Sequence, residues 1–201
     1  IRRSLTEHAP KLDLSAKAGR QWFVCLDEIG PAHTGVKPDN DDYWHDDVRR
    51  KHLWGNLMAG GAGTEYYFGY ALPDNDLVAE SFRSRDRSWD YGRIAIDFFH
   101  SQKIPFWEMK NADELVGNDK HDNSRYCFAK VNDLYLVYLP SGGTATLNLS
   151  KAGGQFTVSW FDPRTGGPLK KGRVPGVTGG ANVSLGMPPE NPEEDWLVVI
   201  R

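Results

Sequence analysis

Two cysteines, Cys25 and Cys127, are all the thiol in this chain of 201 residues, so no disulfide scaffold is available. Both sit in apolar, strand-like runs, where buried free thiols are expected. No apolar stretch approaches the ~18–20 residues that span a bilayer. No charged and apolar leader follows Ile1. An excess of one charge is missing too. With 24 Lys and Arg against 27 Asp and Glu, net −3, there is no basic footprint for nucleic acid. The histidines show no zinc spacing. There is no GxSxG elbow and no phosphate-cradling glycine loop. The expectation is therefore no metal and no cofactor, with neither nucleic acid nor membrane as partner.

Aromatic residues are plentiful, with seven Trp, eight Tyr and nine Phe, which excludes low-complexity disorder. The 21 Gly and 12 Pro imply many turns. The pattern changes near residue 105. Before it, strand-like and helix-like segments alternate; after it come short strand-like runs between turns. A weak helical stretch opens the chain. Residues 22–27 form a continuous apolar run that asks for cover on both faces. A polar loop leads to a helix over 44–58, then Gly60–Gly63 and a strand over 64–68. After a second long loop, Tyr91, Ile94, Ala95 and Phe98 mark a helix from Ser84 or Asp86 to about Gln102. Both long loops follow strands, which is the ligand side of an α/β fold.

The second half predicts six or seven strands, at 125–130, 133–139, 144–149, 155–161, 168–174, 181–185 and 195–200. Turns every 8–12 residues fit a β-sandwich. In 133–139 both alternating sets are apolar, so either both faces are covered or one is very sticky. Ser141-Gly142-Gly143 reads as a hairpin loop.

Chemistry points first to Asp27-Glu28, carboxylates at the end of the first strand. Glycoside hydrolysis needs such groups in pairs, while a capping or salt-bridged acid is the plainer alternative. Glu65 either lines a cleft or pairs with Arg49 or Arg50. Tyr66, Tyr67 and Phe68 beside it offer rings that stack on sugar faces. The acidic stretch Asp39–Asp47 lacks calcium-loop order and reads as a solvated loop. Arg83, Arg85, Arg87 and Arg93, with Asp86 and Asp90 between them, read as a salt-bridged surface.

Three segments carry a resemblance. Trp22 to Pro31 and Leu53 to Gly69 resemble the last two β/α units of a glycoside-hydrolase-like (β/α)8 barrel, and Ser88–Tyr91 with Ile104–Met109 match its final helix and exit. Tyr126–Pro140, Trp160–Gly166 and Asp195–Val199 resemble the module called "putative collagen-binding domain", which follows such barrels in secreted bacterial carbohydrate-degrading proteins. The resemblance implies α/β plus all-β architecture. Residues 1–105 would be the C-terminal portion of a TIM-type barrel, with its strands seven and eight, and 106–201 an antiparallel β-sandwich. It implies Glu28 as nucleophile of a retaining glycosidase. Asp27, Glu65, Tyr66, Tyr67 and Phe68 would bind an oligosaccharide or polysaccharide. It also implies a secreted or periplasmic location. The barrel's acid/base and six strands have no counterpart here, so the missing N-terminal portion is itself an expected partner and the isolated chain is expected to be inactive. A non-catalytic module binding carbohydrate or extracellular protein is the alternative.

Overall fold

The computed structural model describes residues 11, 14–20, 22–78 and 81–201. The helical stretch expected at the start of the chain falls largely outside them. Strand β1 (Cys25–Leu26) pairs in parallel with β2 (Gly63–Thr64), in register Cys25 to Gly63 and Leu26 to Thr64. Parallel neighbours need a crossover. Here a helix supplies it, wound as a π-helix over Val48–Trp54 and continuing as α1 (Gly55–Met58). Asn56 closes this unit by donating from Nδ2 to the Gly63 carbonyl at 2.7 Å. A Cβ on Gly61 would lie 2.0 Å from the Asn56 side chain, so the glycine makes room for that bond. A 3₁₀ turn at Phe82–Arg85 leads into α2 (Asp86–Ser101), which buries Tyr91, Ile94, Ala95 and Phe98 as their spacing predicts.

Residues 22–27 are less regular than their apolar run predicts. Only two of them are strand, and Trp22, Phe23 and Cys25 are exposed, Phe23 at 89%. The expected burial of Cys25 is thus overturned, because no described element covers that side of β1; Cys127 is buried.

The second half forms eight strands. They are β3 (Lys110–Asn111), β4 (Tyr126–Lys130), β5 (Leu134–Leu139), β6 (Thr146–Asn148), β7 (Gln155–Phe161), β8 (Gly176–Thr178), β9 (Asn182–Ser184) and β10 (Trp196–Ile200). Six make one antiparallel sheet in the order β3-β4-β5-β10-β7-β8, and β6 pairs with β9 as a separate ribbon. The architecture is mixed helix and sheet with one large antiparallel sheet. The strand expected at 168–174 is a single bridge between Trp160 and Lys170, and β8 begins further on. Ser141–Gly143 is not a hairpin loop. β5 pairs with β4 and β10, and the Gly143 amide donates to the Pro192 carbonyl at 2.7 Å, so the chain leaves the sheet there.

The sheet is covered on both faces, and period-two alternation assigns the side chains. Tyr126, Phe128, Leu134, Leu136, Tyr138, Leu197 and Val199 pack with Trp54, Met58, Tyr91 and Phe98 of the helices. Cys127, Ala129, Tyr135, Val137, Trp196 and Val198 pack with Leu147 and Leu185, which flank or belong to the ribbon. The first core therefore runs continuously from residue 53 to residue 199, across the change of pattern at 105. Trp54 is fully buried at its centre, stacked 5.8 Å from Tyr138 and edge-on 5.8 Å from Phe98.

A buried ion pair joins the helices to the last strand. Asp195 accepts from Arg49 Nε at 3.0 Å, Arg49 Nη2 at 2.9 Å and the Tyr138 hydroxyl at 2.9 Å. Burial works against the Arg49 charge, but the bond and charge of Asp195 hold its pKa above the ordinary value. Replacing Asp195 with Ala leaves that guanidinium in the interior with a lost partner. Urea unfolding should show a loss of about 3–5 kcal/mol, and Asp195→Asn, which keeps an acceptor, a smaller one. A loss within 1 kcal/mol for the alanine variant would contradict the role given to the pair.

Candidate functional site

Asp27 and Glu28 follow β1 directly, and both are exposed. Ile29, next along, is only 2% exposed and packs with Val36 and Val48. The chain thus turns down immediately after Glu28, and it does so with Glu28 at φ 51°, in the left-handed region. For a residue with a Cβ that conformation costs about 1–2 kcal/mol. The parallel pairing to β2 on one side and buried Ile29 on the other hold it in place. Non-glycine residues held this way cluster at functional sites.

Glu65 occupies the matching position beyond β2. Its amide donates to the Leu26 carbonyl at 2.9 Å, and its carbonyl accepts from the Ile29 amide at 3.5 Å. The two acidic strand ends are therefore laced together, and the exposed Glu65 side chain stands beside the Asp27-Glu28 turn. Pairing of Glu65 with Arg49 or Arg50 is overturned. Arg49 turns to Asp195, and Arg50 to Glu194 at 2.8 Å.

The three aromatic residues after Glu65 do different things. Tyr66 is half-buried, and its hydroxyl donates to the Ser88 carbonyl at 3.0 Å; burial pushes its pKa up to about 12. Tyr67 donates its hydroxyl to the Ala32 carbonyl at 2.8 Å and so ties the β2 exit to the loop after β1. Phe68 is 4% exposed, and the Arg85 guanidinium lies 4.2 Å above its ring. Phe68 thus supports the wall from behind. The lacing continues where Val36 donates to the Tyr67 carbonyl at 2.7 Å. A Cβ on Gly35, at φ 53°, would lie 2.0 Å from that carbonyl, so the loop approaches this closely only with glycine there.

Arg85 is a residue whose place the sequence did not show. Within its basic cluster it reads as surface, yet it is fully buried. It donates from Nε to the Val36 carbonyl at 2.9 Å and from Nη1 to the Asp74 carbonyl at 2.7 Å. It pins both long loops to the start of α2. Nothing in its local sequence distinguishes it from Arg83 or Arg93, because its acceptors are backbone carbonyls far along the chain. Arg83 and Arg93 do make the expected exposed pairs, with Asp86, and with Asp90 and Asp97. In the acidic loop, fully buried His45 bonds through Nε2 to Asp39 Oδ1 at 2.7 Å, and Asp39 Oδ2 accepts from the Arg87 amide at 3.3 Å. Among the described residues no three His, Cys, Asp or Glu side chains gather as metal ligands. No helix among them is long and apolar enough to cross a membrane.

The Tyr67 pKa is raised by partial burial and by the nearby Asp76 and Glu28 carboxylates. Removing the Glu28 charge favours the phenolate, so Glu28→Gln should lower the Tyr67 pKa. Titration of the Tyr67 ring carbon by NMR reads this directly, and an unmoved pKa would separate the two side chains.

Residues 112–201 match a family model described as "Putative collagen-binding domain of a collagenase". No curated protein matches the chain. Among solved structures it is similar to a glycoside hydrolase family 5 protein from Bacteroides vulgatus, at 17% identity and TM-score 0.57, over 78% of this chain and 36% of that one. It is similar as well to a structure titled "Glycoside hydrolase", at 15% identity and TM-score 0.64, over 96% of this chain and 45% of that one. The chain therefore spans less than half the length of either. At these identities the likeness is one of fold, in which a part shared with glycoside hydrolases carries a segment that matches the collagen-binding model.

Proposed function

We propose that this chain is the C-terminal part of a retaining glycoside hydrolase acting on an oligosaccharide or polysaccharide, with Glu28 as its nucleophile. On this reading residues 1–105 are the last two β/α units of a TIM-type barrel, and 106–201 are a β-sandwich module packed against them. The observation that carries it is the exposed Glu28 carboxylate, held at positive φ at the carboxyl end of a strand paired in parallel with the next. Catalytic groups of β/α barrels come from that end.

Each residue then has a part. Glu28 attacks the anomeric carbon, the bond from that carbon to the glycosidic oxygen breaks, and a glycosyl-enzyme ester forms as the aglycone leaves. An acid/base on an earlier strand protonates the leaving oxygen and later activates water. That second carboxyl must stand ~5–5.5 Å from the first, and the remaining barrel supplies it. Asp27, Glu65 and Tyr67 face the sugar and bind its hydroxyls, while Tyr66 and Phe68 pack against Trp89. The bare apolar side of β1, with Trp22, Phe23 and Cys25 exposed, is where preceding barrel elements would pack.

The test is made in the parent protein. Glu28→Gln should reduce turnover by about a thousandfold or more. A 2-deoxy-2-fluoroglycoside should add its sugar mass to the wild type and not to the variant. Full turnover in the variant removes Glu28 from the mechanism. The family match of 112–201 favours one second reading, a module that binds extracellular protein. Retention of the 201-residue chain on immobilised collagen, undiminished by Glu28→Gln, would support it.

A further inference from the structure

A groove of about 310 Å³ lies where α2 meets the turn after β7. Arg87, Asp90, Tyr91, Arg93 and Ile94 line it from the helix, and Arg164 and Thr165 from the turn. The two elements touch closely, since a Cβ on Gly166 would lie 3.3 Å from Ile94. The site is thus built by both halves of the chain. Two of its three arginines are paired with carboxylates. Arg93 donates to Asp90 at 3.3 Å, and Arg164 donates to both oxygens of Asp162 at 2.8 and 2.9 Å.

An aromatic platform adjoins the groove. Tyr43 and Trp44 are 52% and 60% exposed, with ring centroids 4.8 Å apart and edge to face. Arg87 joins platform to groove. Its guanidinium lies 3.6 Å above the Tyr43 ring and 5.3 Å from that of Trp44, and it donates to the Tyr43 hydroxyl.

We infer that Tyr43, Trp44 and this groove form an accessory binding surface for a neutral polysaccharide chain. This rests on the carbohydrate reading above and goes beyond it, since it gives the sheet-bearing half a share in substrate binding through Arg164 and Thr165. Exposed aromatic rings stack against the apolar faces of sugars. Carboxylate–guanidinium pairs set acceptors and donors side by side, as neighbouring hydroxyls require. Arg93 and Arg164 are countered by Asp90, Asp97, Asp162 and Glu194, so the carboxylates outnumber these two arginines and offset Arg87, which lies on Tyr43. That balance leaves little net attraction for a polyanion and selects a neutral chain.

The test is affinity electrophoresis of the 201-residue chain in gels holding galactomannan, xyloglucan, arabinogalactan or polygalacturonate. Retardation is expected in at least one neutral polysaccharide. Trp44→Ala and Arg87→Ala should each weaken it at least tenfold, with far-UV circular dichroism unchanged, while Glu28→Gln leaves it intact. No retardation by any neutral polysaccharide overturns the inference, as does retardation by polygalacturonate alone or binding untouched by Trp44→Ala. Binding lost in Glu28→Gln but kept in Trp44→Ala places the glycan at Glu28, which supports the hydrolase reading and overturns this one. Binding that depends on Trp44, in a parent protein that turns over normally without Glu28, would keep the accessory surface and discard the nucleophile.

Discussion

A carboxylate with no access to water must be paired or pay heavily in solvation, and Asp195 is such a group. It sits just before β10, the strand that joins the two halves of the large sheet, and takes hydrogen bonds from Arg49 and Tyr138. Arg49 comes from the π-helical segment 146 residues earlier, and Tyr138 from the neighbouring strand. The placement of the helix over the sheet satisfies all three groups. Burial and the Asp195 charge push the Tyr138 pKa well above its ordinary value, so the hydroxyl stays a donor. With the helix so placed, Trp54 enters the aromatic cluster beneath it.

From this follows the position of everything nearer the surface. The π-helical segment and α1 form the crossover that sets β1 parallel to β2, and that pairing puts Glu28 and Glu65 at one end. Arg85 then draws the two long loops together by bonding backbone carbonyls of both. The acidic strand ends and the tyrosine wall thus stand on a frame held by buried arginines. Such a frame suits the proposed glycosidase site, whose carboxylates would be kept at fixed separations.

The groove between α2 and the turn after β7 bears on how the halves relate. One apolar core passes beneath it without a break, so the collagen-binding-type segment is fixed to the helices as a rigid neighbour. A module placed in this way can lend side chains to a binding surface, where a tethered one could only lend proximity.

Much of this was legible in the sequence. Two apolar sets alternating along 133–139 allow a strand covered on both faces or one with a single sticky face, because side chains of a strand point to opposite sides by geometry, and the structure covers both. The stripe of Tyr91, Ile94, Ala95 and Phe98 likewise allows one helix face to be buried. The order strand, helix, strand placed acidic residues at strand ends. Other features depend on groups distant along the chain and have no local mark. The run 22–27 carries the apolar code of a covered strand but lies bare on one side. Arg85 and Arg93 look alike in sequence, yet one is buried against carbonyls and the other lies in solvent beside carboxylates. Arg49 and Arg50 stand in the sequence as possible partners of Glu65, yet they bond to Asp195 and Glu194, well over a hundred residues away. Periodicity by itself determined which faces are apolar, since that is a property of backbone geometry. Which charges meet in the interior was decided by tertiary structure alone, because a buried charge takes whichever partner the packing of the whole core brings within reach.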